Sequence, residues 1–577
     1  MAYSAVTDVL RERASLQPDD VAFTFVDYDI DPGGVAVTLT WSQLSRRVVN
    51  FAHELRSRGS IGDRAVILLP QSLDYIVAFL GSLHAGLIAA PLSVPFPGVH
   101  DERVSAVLRD ASPTVIVATS AMAEHLSEYT APLDDQAKPT VVEIDALDLD
   151  GQTPRALKRA KMATAYLQYT SGSTRTPAGV MVTHRNLTAN FEQIMAGFFP
   201  GKVAPADTTA VSWLPFYHDM GLMLGVCAPI LGGWHTVFTT PASFLARPAR
   251  WIQLLASYPS TVTAAPNFAF ELAVGRTSDD DLAGKDLSGV RCVLSGSERV
   301  HHTTLKRFVD RFTRFDLAEE ALRPSYGLAE ATLFVATREP GLPPHIVHFA
   351  GEKLSAGHAK RCDNESGTPL VGYGAPESPL VYIVDPATKT ECPAGTLGEI
   401  WVMGENVCVG YWENPEQSEH TFNAYIDGAS PETPPGPWLR TGDLGFISEG
   451  ELFIVGRIKD VVIVRGRNHY PDDIEATIQE ITGGRVAAIS VENEHTEELV
   501  VIAEVKAPAN PDADAIEHMR SKERDVTSAL SRSHGLSAAD LVLVPRGSIP
   551  ITTSGKVRRS ACSELYRNDA LTRLVPR

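Results

Sequence analysis

The chain has 577 residues and a mass of 62.4 kDa, enough for more than one hydrophobic core and for roughly two to four structural units. Its 51 Lys and Arg against 70 Asp and Glu give a net charge of -19, and no long basic run offsets it. That balance argues against nucleic acid as a main partner and against electrostatic anchoring to anionic lipid, while allowing a small anionic substrate held by a few cations focused in a cleft.

Charges at Asp8, Arg11, Glu12, Arg13, Asp19 and Asp20 break up the apolar residues of the N-terminus, so it does not read as a signal peptide. Arg64 to Leu69 has the continuous apolar character of a buried strand, Leu73 to Leu83 that of a helix, and Thr114 to Ala118 that of another strand. This alternation predicts a covered α/β sheet. The most membrane-like stretch, Leu73 to Val94, contains Asp74, His84 and Pro91 and reads as a buried helix followed by a strand. Six widely spaced cysteines, with no C-x-x-C pair, point to reduced structural thiols in a cytoplasmic protein.

Tyr169 to Val180 is the most informative segment. Thr170, Ser171, Ser173 and Thr174 offer hydroxyls beside consecutive backbone N–H groups, and Gly172 allows close backbone approach, as a polyphosphate-binding loop requires. A Ser/Thr-rich surface turn is the alternative. The P-loop NTPase pattern fails, because no Gly-Lys-Ser/Thr follows and Arg175 and Ala178 stand where a small residue and a cation would be expected.

Further along, Val290 to Leu294 reads as a strand, and Leu305, Phe308, Val309, Phe312 and Phe315 as one apolar helical stripe for core packing. Between Pro340 and Pro379 the texture turns to Gly, Pro, His and mixed charge, which predicts an inserted loop or small excursion; the spacing of His345, His348, His358 and Cys362 is too irregular to favour a metal site. Gly428 to Pro437 reads as a surface turn. Glu451 to Arg465 suggests two strands around a polar connection, near the start of a small C-terminal unit. Strand-like runs at Arg485 to Val491, Leu499 to Val505 and Leu541 to Val544, with a helical stretch at 513–530, complete that unit. Its last loop, Gly547 to Arg559, carries Lys556, a cation that could complete a phosphate site across two domains.

Taken in order, the 169–180 loop, Trp213-Leu-Pro-Phe-Tyr-His-Asp-Met-Gly221, Ala265-Pro-Asn267, Ser295-Gly-Ser-Glu-Arg299, Tyr326-Gly-Leu-Ala-Glu-Ala331, Arg440-Thr-Gly-Asp443, Gly456-Arg-Ile-Lys-Asp460 and Thr553-Ser-Gly-Lys556 span nearly the whole chain. The sequence resembles the adenylate-forming superfamily, and most closely the fatty acyl-AMP ligases of mycobacterial type. The resemblance implies an α/β fold: a large multi-sheet N-terminal adenylation domain over 1–456, with a family-specific insertion near 351–378, and a small mobile α+β domain over 460–577, with the hinge near 457–459. It also implies activation of a medium- or long-chain fatty acid with ATP and Mg²⁺ to acyl-AMP, then transfer to the phosphopantetheine thiol of an acyl carrier protein or polyketide synthase. A long-chain acyl-CoA synthetase and a nonenzymatic acyl- or nucleotide-binding docking module are the alternatives. No transmembrane insertion is expected, and transient membrane association through substrate is compatible with the sequence.

The resemblance also implies roles for single residues. Lys556 bridges carboxylate and α-phosphate, and Glu330 supports Mg²⁺. Thr170, Ser171, Gly172, Ser173 and Thr174 take the phosphates. Ser295, Gly296, Tyr326 and Gly327 lie by adenine, with Asp443 and Arg457 at the ribose. His218 orients or gates at the carboxylate side; a base is not needed, because a fatty carboxylate is already ionised near neutral pH. Trp213, Asn267 and Phe268 border the acyl entrance, where core packing is an equal alternative, and Lys459 is the hinge. Arg175, Ala178 and Ala329 depart from the commoner superfamily pattern, a departure at 175 and 178 that these ligases share.

Overall fold

The computed structural model describes residues 4–95, 101–130, 138–153, 157, 162–170, 177–363, 367–464, 467–493, 496–506, 513–552 and 555–575. Two large sheets dominate. The first has six strands in the order Thr140–Glu143, Val115–Ala118, Arg64–Leu68, Ile88–Pro91, Thr164–Thr170, Ala178–Thr183, parallel except for the last pair. The second has eight, in the order Phe334–Thr337, Leu322–Gly327, Val290–Ser295, Ser260–Ala265, Thr208–Ser212, His235–Phe238, Val21–Asp27, Val35–Thr40. Its interior pairs are parallel and both edge pairs antiparallel.

The apolar runs become strands because they are covered on both faces. Val66, Ile67, Leu68, Val115, Ile116 and Val117 have no exposure at all, as expected of parallel strands between helical layers. Helix Leu73–Ala85 starts where Ser72 Oγ accepts the Tyr75 N–H at 3.3 Å and stops at Gly86, whose φ of +80° closes the helix in the left-handed region. Almost all of its residues are buried, which accounts for its membrane-like composition without a membrane. No helix among the described residues is long and apolar enough to cross a bilayer. All six cysteines are free thiols, with Cys227, Cys292, Cys408 and Cys562 buried.

The C-terminal part is a smaller α+β unit. A three-stranded sheet, Val486–Asn493, Thr496–Val505, Asp540–Pro545, is antiparallel in its first pair and parallel in its second. Its two-residue period divides the apolar side chains between two cores. Val486, Ala488, Leu499 and Val501 pack with Ile474, Ile478, Met519 and Val526 of helices Pro471–Thr482 and Ala513–Ala529. Ala487, Ile489, Val500 and Ile502 pack on the other face with Cys562 of helix Arg559–Arg567.

One sequence expectation is corrected and two are refined. Glu451–Arg457 and Val462–Val464 are two strands around the polar turn Ile458–Asp460, as expected, and they join different sheets. The first closes a four-stranded antiparallel sheet with Leu380–Val384, Gly398–Met403 and Leu439–Ser448, whereas the second pairs with Arg467–His469. The expected stripe ends at Phe312: helix His302–Phe312 stops there, and Phe315 sits in the following 3₁₀ turn. Of the inserted loop or small excursion expected between 340 and 379, the structure shows the excursion, with regular elements of its own. Ile346–Phe349 pairs antiparallel with Thr368–Val371 around the short helix Gly351–Ser355, and Phe349, Leu354 and Leu370 pack with Phe446, Phe453, Val455 and Tyr470. His345 within it places Nδ1 2.5 Å from Glu451 Oε2.

Candidate active site

The hydroxyl-rich segment joins the two antiparallel strands of the six-stranded sheet, where Thr170 pairs with Ala178. Ser171, Gly172, Ser173 and Thr174 lie outside the described residues. The strands that carry the segment are anchored on two sides. Tyr169 donates its hydroxyl to Asp110 at 2.6 Å. The Met181 and Trp412 N–H groups bond to the Gly410 and Gly179 carbonyls at 2.9 and 2.7 Å, placing Tyr411 alongside. Tyr411 in turn donates to Glu330 Oε1 at 2.8 Å. Burial raises the Glu330 pKa, opposed by that hydrogen bond and by Arg457.

Ser295–Gly296 and Tyr326–Gly327 stand at the carboxyl ends of adjacent parallel strands, the edge where open α/β sheets bind their ligands. Gly327 is required sterically: a Cβ there would lie 1.9 Å from the Leu333 carbonyl oxygen. Ser295 Oγ is fully buried with no hydrogen-bond partner among the described residues. Tyr326 donates to Asp443 Oδ2 at 2.8 Å, and the Arg457 Nε–H donates to Asp443 Oδ1 at 3.1 Å. The four-stranded sheet is thereby tied to the eight-stranded one at Asp443, which is 7% exposed.

Lys556 rides on a turn closed by the Thr552 N–H to the Lys556 carbonyl at 2.8 Å and by the Lys556 N–H to Thr552 Oγ1 at 3.1 Å. Gly555, at φ +85°, turns its backbone against Phe268; a Cβ there would sit 3.1 Å from the Phe268 ring. Phe268 also meets Trp213 edge to face at 6.1 Å, and Trp213 stacks on Phe244 at 3.9 Å. Asn267 spends its side chain on backbone, with Nδ2 donating to the Arg299 carbonyl at 2.8 Å and Oδ1 accepting from His301 at 3.3 Å. Burial lowers the Lys556 pKa, as does Arg457, while Glu298, Asp219 and Asp443 oppose the shift. Glu298 and Asp219 are both raised by burial and held down by Lys556. Thus the loop from the small unit meets residues that follow strands of the eight-stranded sheet, Asp219, Phe268 and Glu298, and lies within electrostatic reach of Asp443 and Arg457 on the four-stranded one. Lys459 lies in the 3₁₀ turn Ile458–Asp460 that follows the strand carrying Arg457.

His218 precedes the short helix Asp219–Leu222 and is half-buried. Burial, then the Arg103 and Lys556 charges, push its pKa from 6.5 down to about 3. The imidazole is therefore neutral through the physiological range, which suits an orienting contact rather than proton transfer. Because the unfolded chain binds this proton between about pH 6.5 and 3 and the folded one does not, stability falls as pH drops through that window. His218→Asn is expected to flatten that fall, read as urea midpoints between pH 7 and 4; an unchanged slope would remove His218 as its source.

Several partners were not singled out in the sequence. Asp219 and Glu298 are embedded in matched segments, yet their approach to Lys556 depends on the small unit's placement. Tyr411 and Glu399 lie outside all of the motifs. Glu399 is 2% exposed and supports the turn before Asp443 by accepting from Arg440, Trp401 and the Gly442 N–H.

Two covered α/β sheets, a Tyr–Asp–Arg contact that joins a strand end of the eight-stranded sheet to the four-stranded one, and a lysine delivered by a smaller C-terminal unit define the adenylate-forming class. Residues 10–412 match the AMP-binding enzyme family, and 459–574 match the AMP domain of Disco-interacting protein 2-like proteins. The chain is 58% identical over 578 residues to the long-chain-fatty-acid–AMP ligase FadD28 of Mycobacterium tuberculosis, and over 577 residues to a Mycobacterium leprae protein provisionally named fatty-acid–CoA ligase FadD21; each match covers 100% of both chains. The fatty acyl-adenylate ligase of Legionella pneumophila, solved with acyl adenylate and pyrophosphate, shares 32% identity at a TM-score of 0.74, covering 98% of this chain and 96% of its own. The chain belongs to the AMP-binding enzymes and, within them, to the fatty acyl-AMP ligases of mycobacterial type. Its chemistry is ATP-dependent adenylation of a fatty acid.

Proposed function

We propose that this enzyme activates a medium- or long-chain fatty acid as acyl-AMP and passes the acyl group to the phosphopantetheine thiol of an acyl carrier protein or polyketide synthase in the cytoplasm. The observation that carries the reading is Lys556: a cation from the small unit lying among Glu298, Asp219 and Asp443, with nucleotide-side and carboxylate-side groups around it. In the first step a carboxylate oxygen attacks the α-phosphorus and the bond to pyrophosphate breaks. Lys556 offsets the repulsion between carboxylate and phosphate and holds them in line. Thr170 to Thr174 cradle the phosphates. Ser295, Gly296, Tyr326 and Gly327 border adenine, Ser295 Oγ being a buried group in want of a partner, and Asp443 with Arg457 takes the ribose. His218 orients the carboxylate, while Trp213, Phe268 and Asn267 stand at the acyl side.

Glu330 fits Mg²⁺, since a desolvated carboxylate fixed by Tyr411 is a hard-oxygen ligand. The ion would supply charge neutralisation on the phosphates. In the second step the thiol sulfur attacks the acyl carbonyl and AMP leaves. That step requires residues 460–577 to turn about a hinge at 457–459, with Lys459 in it, away from the domain over 1–456. The insertion near 351–378 supports a carrier acceptor over free coenzyme A, because its helix and strand share a core with Tyr470 and so restrain the small domain.

Mass-resolved product analysis with long-chain fatty acid, ATP and Mg²⁺ tests this, comparing no acceptor, coenzyme A and phosphopantetheinylated carrier protein. Acyl-AMP that accumulates alone and passes to carrier but poorly to coenzyme A is expected. Rapid acyl-CoA formation would instead make the enzyme a long-chain acyl-CoA synthetase.

A further inference from the structure

The turn after Ser295 makes a second contact with the small unit, beside the one with Lys556. Arg299, whose side chain is 10% exposed, donates from Nη2 to Asp473 Oδ1 at 2.6 Å and from Nη1 to the Val455 carbonyl at 3.4 Å. Asp473 lies in the first turn of helix Pro471–Thr482. Its neighbour Asp472 accepts from Arg559 Nη2 at 3.0 Å and lies within electrostatic reach of Arg299 and His301 as well, without a hydrogen bond to either. Arg559 also holds Asp460 at 2.9 Å and both Glu475 oxygens at 2.7 Å, so one guanidinium joins the turn after the strand of Arg457, this helix and the start of the helix three residues beyond Lys556. Lys556, its loop and helix Pro471–Thr482 therefore move as one body. The body's ionic tie to the large domain at this point is Arg299 to Asp473.

The position of Arg299 is itself fixed. Asn267 holds the Arg299 carbonyl and the His301 N–H, and its own N–H donates to Glu298 Oε1 at 3.0 Å. Glu298 thus faces Lys556 while Arg299 faces Asp473, both from a turn that leads directly out of Ser295–Gly296. By contrast, the nearby Arg307–Glu480 pair, 3.4 Å apart with both side chains about half exposed, has solvent to compete with it and contributes little.

We propose that Arg299 and Asp473 are positioning residues for adenylation: an ionic latch that holds the small domain where Lys556 reaches the reacting atoms and that opens for acyl transfer. The inference rests on the two-orientation reading above. A latch stabilises one orientation only, so its loss shifts a population and slows the step that orientation performs without slowing the other. A pair needed merely for folding would slow both.

The test uses the full-length enzyme and two separate assays: pyrophosphate release with fatty acid and ATP, and acyl transfer from supplied acyl-AMP to phosphopantetheinylated carrier. Asp473→Asn keeps the side-chain shape and is expected to lower adenylation kcat about tenfold, while ATP KM and the transfer rate stay within about threefold. Arg299→Ala should match it, Arg299→Lys should recover part of the loss, and the exchange of Arg299→Asp with Asp473→Arg should recover more than either reversal alone. Wild-type adenylation in Asp473→Asn, or parallel loss in both assays, would overturn the latch. Should the wild-type enzyme transfer to coenzyme A and not to carrier, the acceptor reading falls, while an adenylation loss in Asp473→Asn with transfer to coenzyme A retained still reports the latch.

Discussion

Replacing Lys556 by alanine is expected to lower acyl-AMP formation by about 10²- to 10³-fold, the scale on which removing one preorganised transition-state donor acts. Transfer from supplied acyl-AMP should fall by less than about tenfold, since the new negative charge of the first step is absent from the second. The structure makes the ammonium hard to replace. It sits on a turn whose Gly555 is pressed against Phe268, and its charge is opposed by Arg457 but supported by Glu298, Asp219 and Asp443. Lys556→Arg should not restore the rate, because a planar fork cannot take the position of a compact ammonium on this turn. A second readout is independent of turnover. The Lys556 charge is one of the causes holding His218 near 3, so the His218 pKa should rise in Lys556→Ala, as followed by imidazole NMR. Equal loss in both half-reactions, with an unmoved His218, would contradict the assignment.

The parts of this fold that were legible were those whose sequence signal is local. Arg64–Leu68 and Val115–Ala118 were readable because strands buried on both faces are apolar throughout, and helix Leu73–Ala85 because its length and its polar interruptions separate it from a membrane span. The two faces of the small sheet follow from a period of two. Sheet membership was not legible: Glu451–Arg457 and Val462–Val464 look alike as strings, and only their partners, Leu439–Ser448 and Arg467–His469, separate them. The site divides in the same way. Ordered motifs pointed to Lys556, Tyr326 and Asp443, and the last two are in direct contact. Tyr411 and Glu399 are single residues in unremarkable strings, and their importance lies in contacts with residues 81 and 41 positions away. Asn267 was expected at the acyl entrance; its one carboxamide offers a donor and an acceptor, and the fold uses both on backbone, a contact that its motif alone did not reveal.

Glu399→Ala is expected to destabilise the protein by about 3 kcal/mol and to raise the KM for ATP by about tenfold or more. Glu399 Oε2 accepts from Arg440 Nε at 3.0 Å and from Trp401 Nε1 at 3.0 Å, with Arg440 Nη2 at 2.8 Å, and Oε1 accepts from the Gly442 N–H at 3.1 Å. Alanine would leave the Arg440 guanidinium, 16% exposed, without its carboxylate and would strand the Trp401 and Gly442 donors. The loss reaches the nucleotide side through geometry. Gly442 immediately precedes Asp443, and the turn between them is set by Glu399 from one side and by Thr441, whose Oγ1 accepts from the Asp443 N–H at 3.1 Å and donates to the Ile400 carbonyl at 2.7 Å, from the other. Freed on one side, the turn would carry Asp443 off the Tyr326 hydroxyl and the Arg457 guanidinium that now fix it. Glu399→Gln keeps one acceptor oxygen and the side-chain shape but gives up the charge-assisted bond, so it should cost about half as much stability and move ATP KM less. Urea unfolding and ATP titration of pyrophosphate release, run on both variants, separate the two effects. A Glu399→Ala enzyme that keeps wild-type stability would show that Arg440 finds another partner, and one that loses stability but not ATP affinity would show that Asp443 is held by Tyr326 and Arg457 alone.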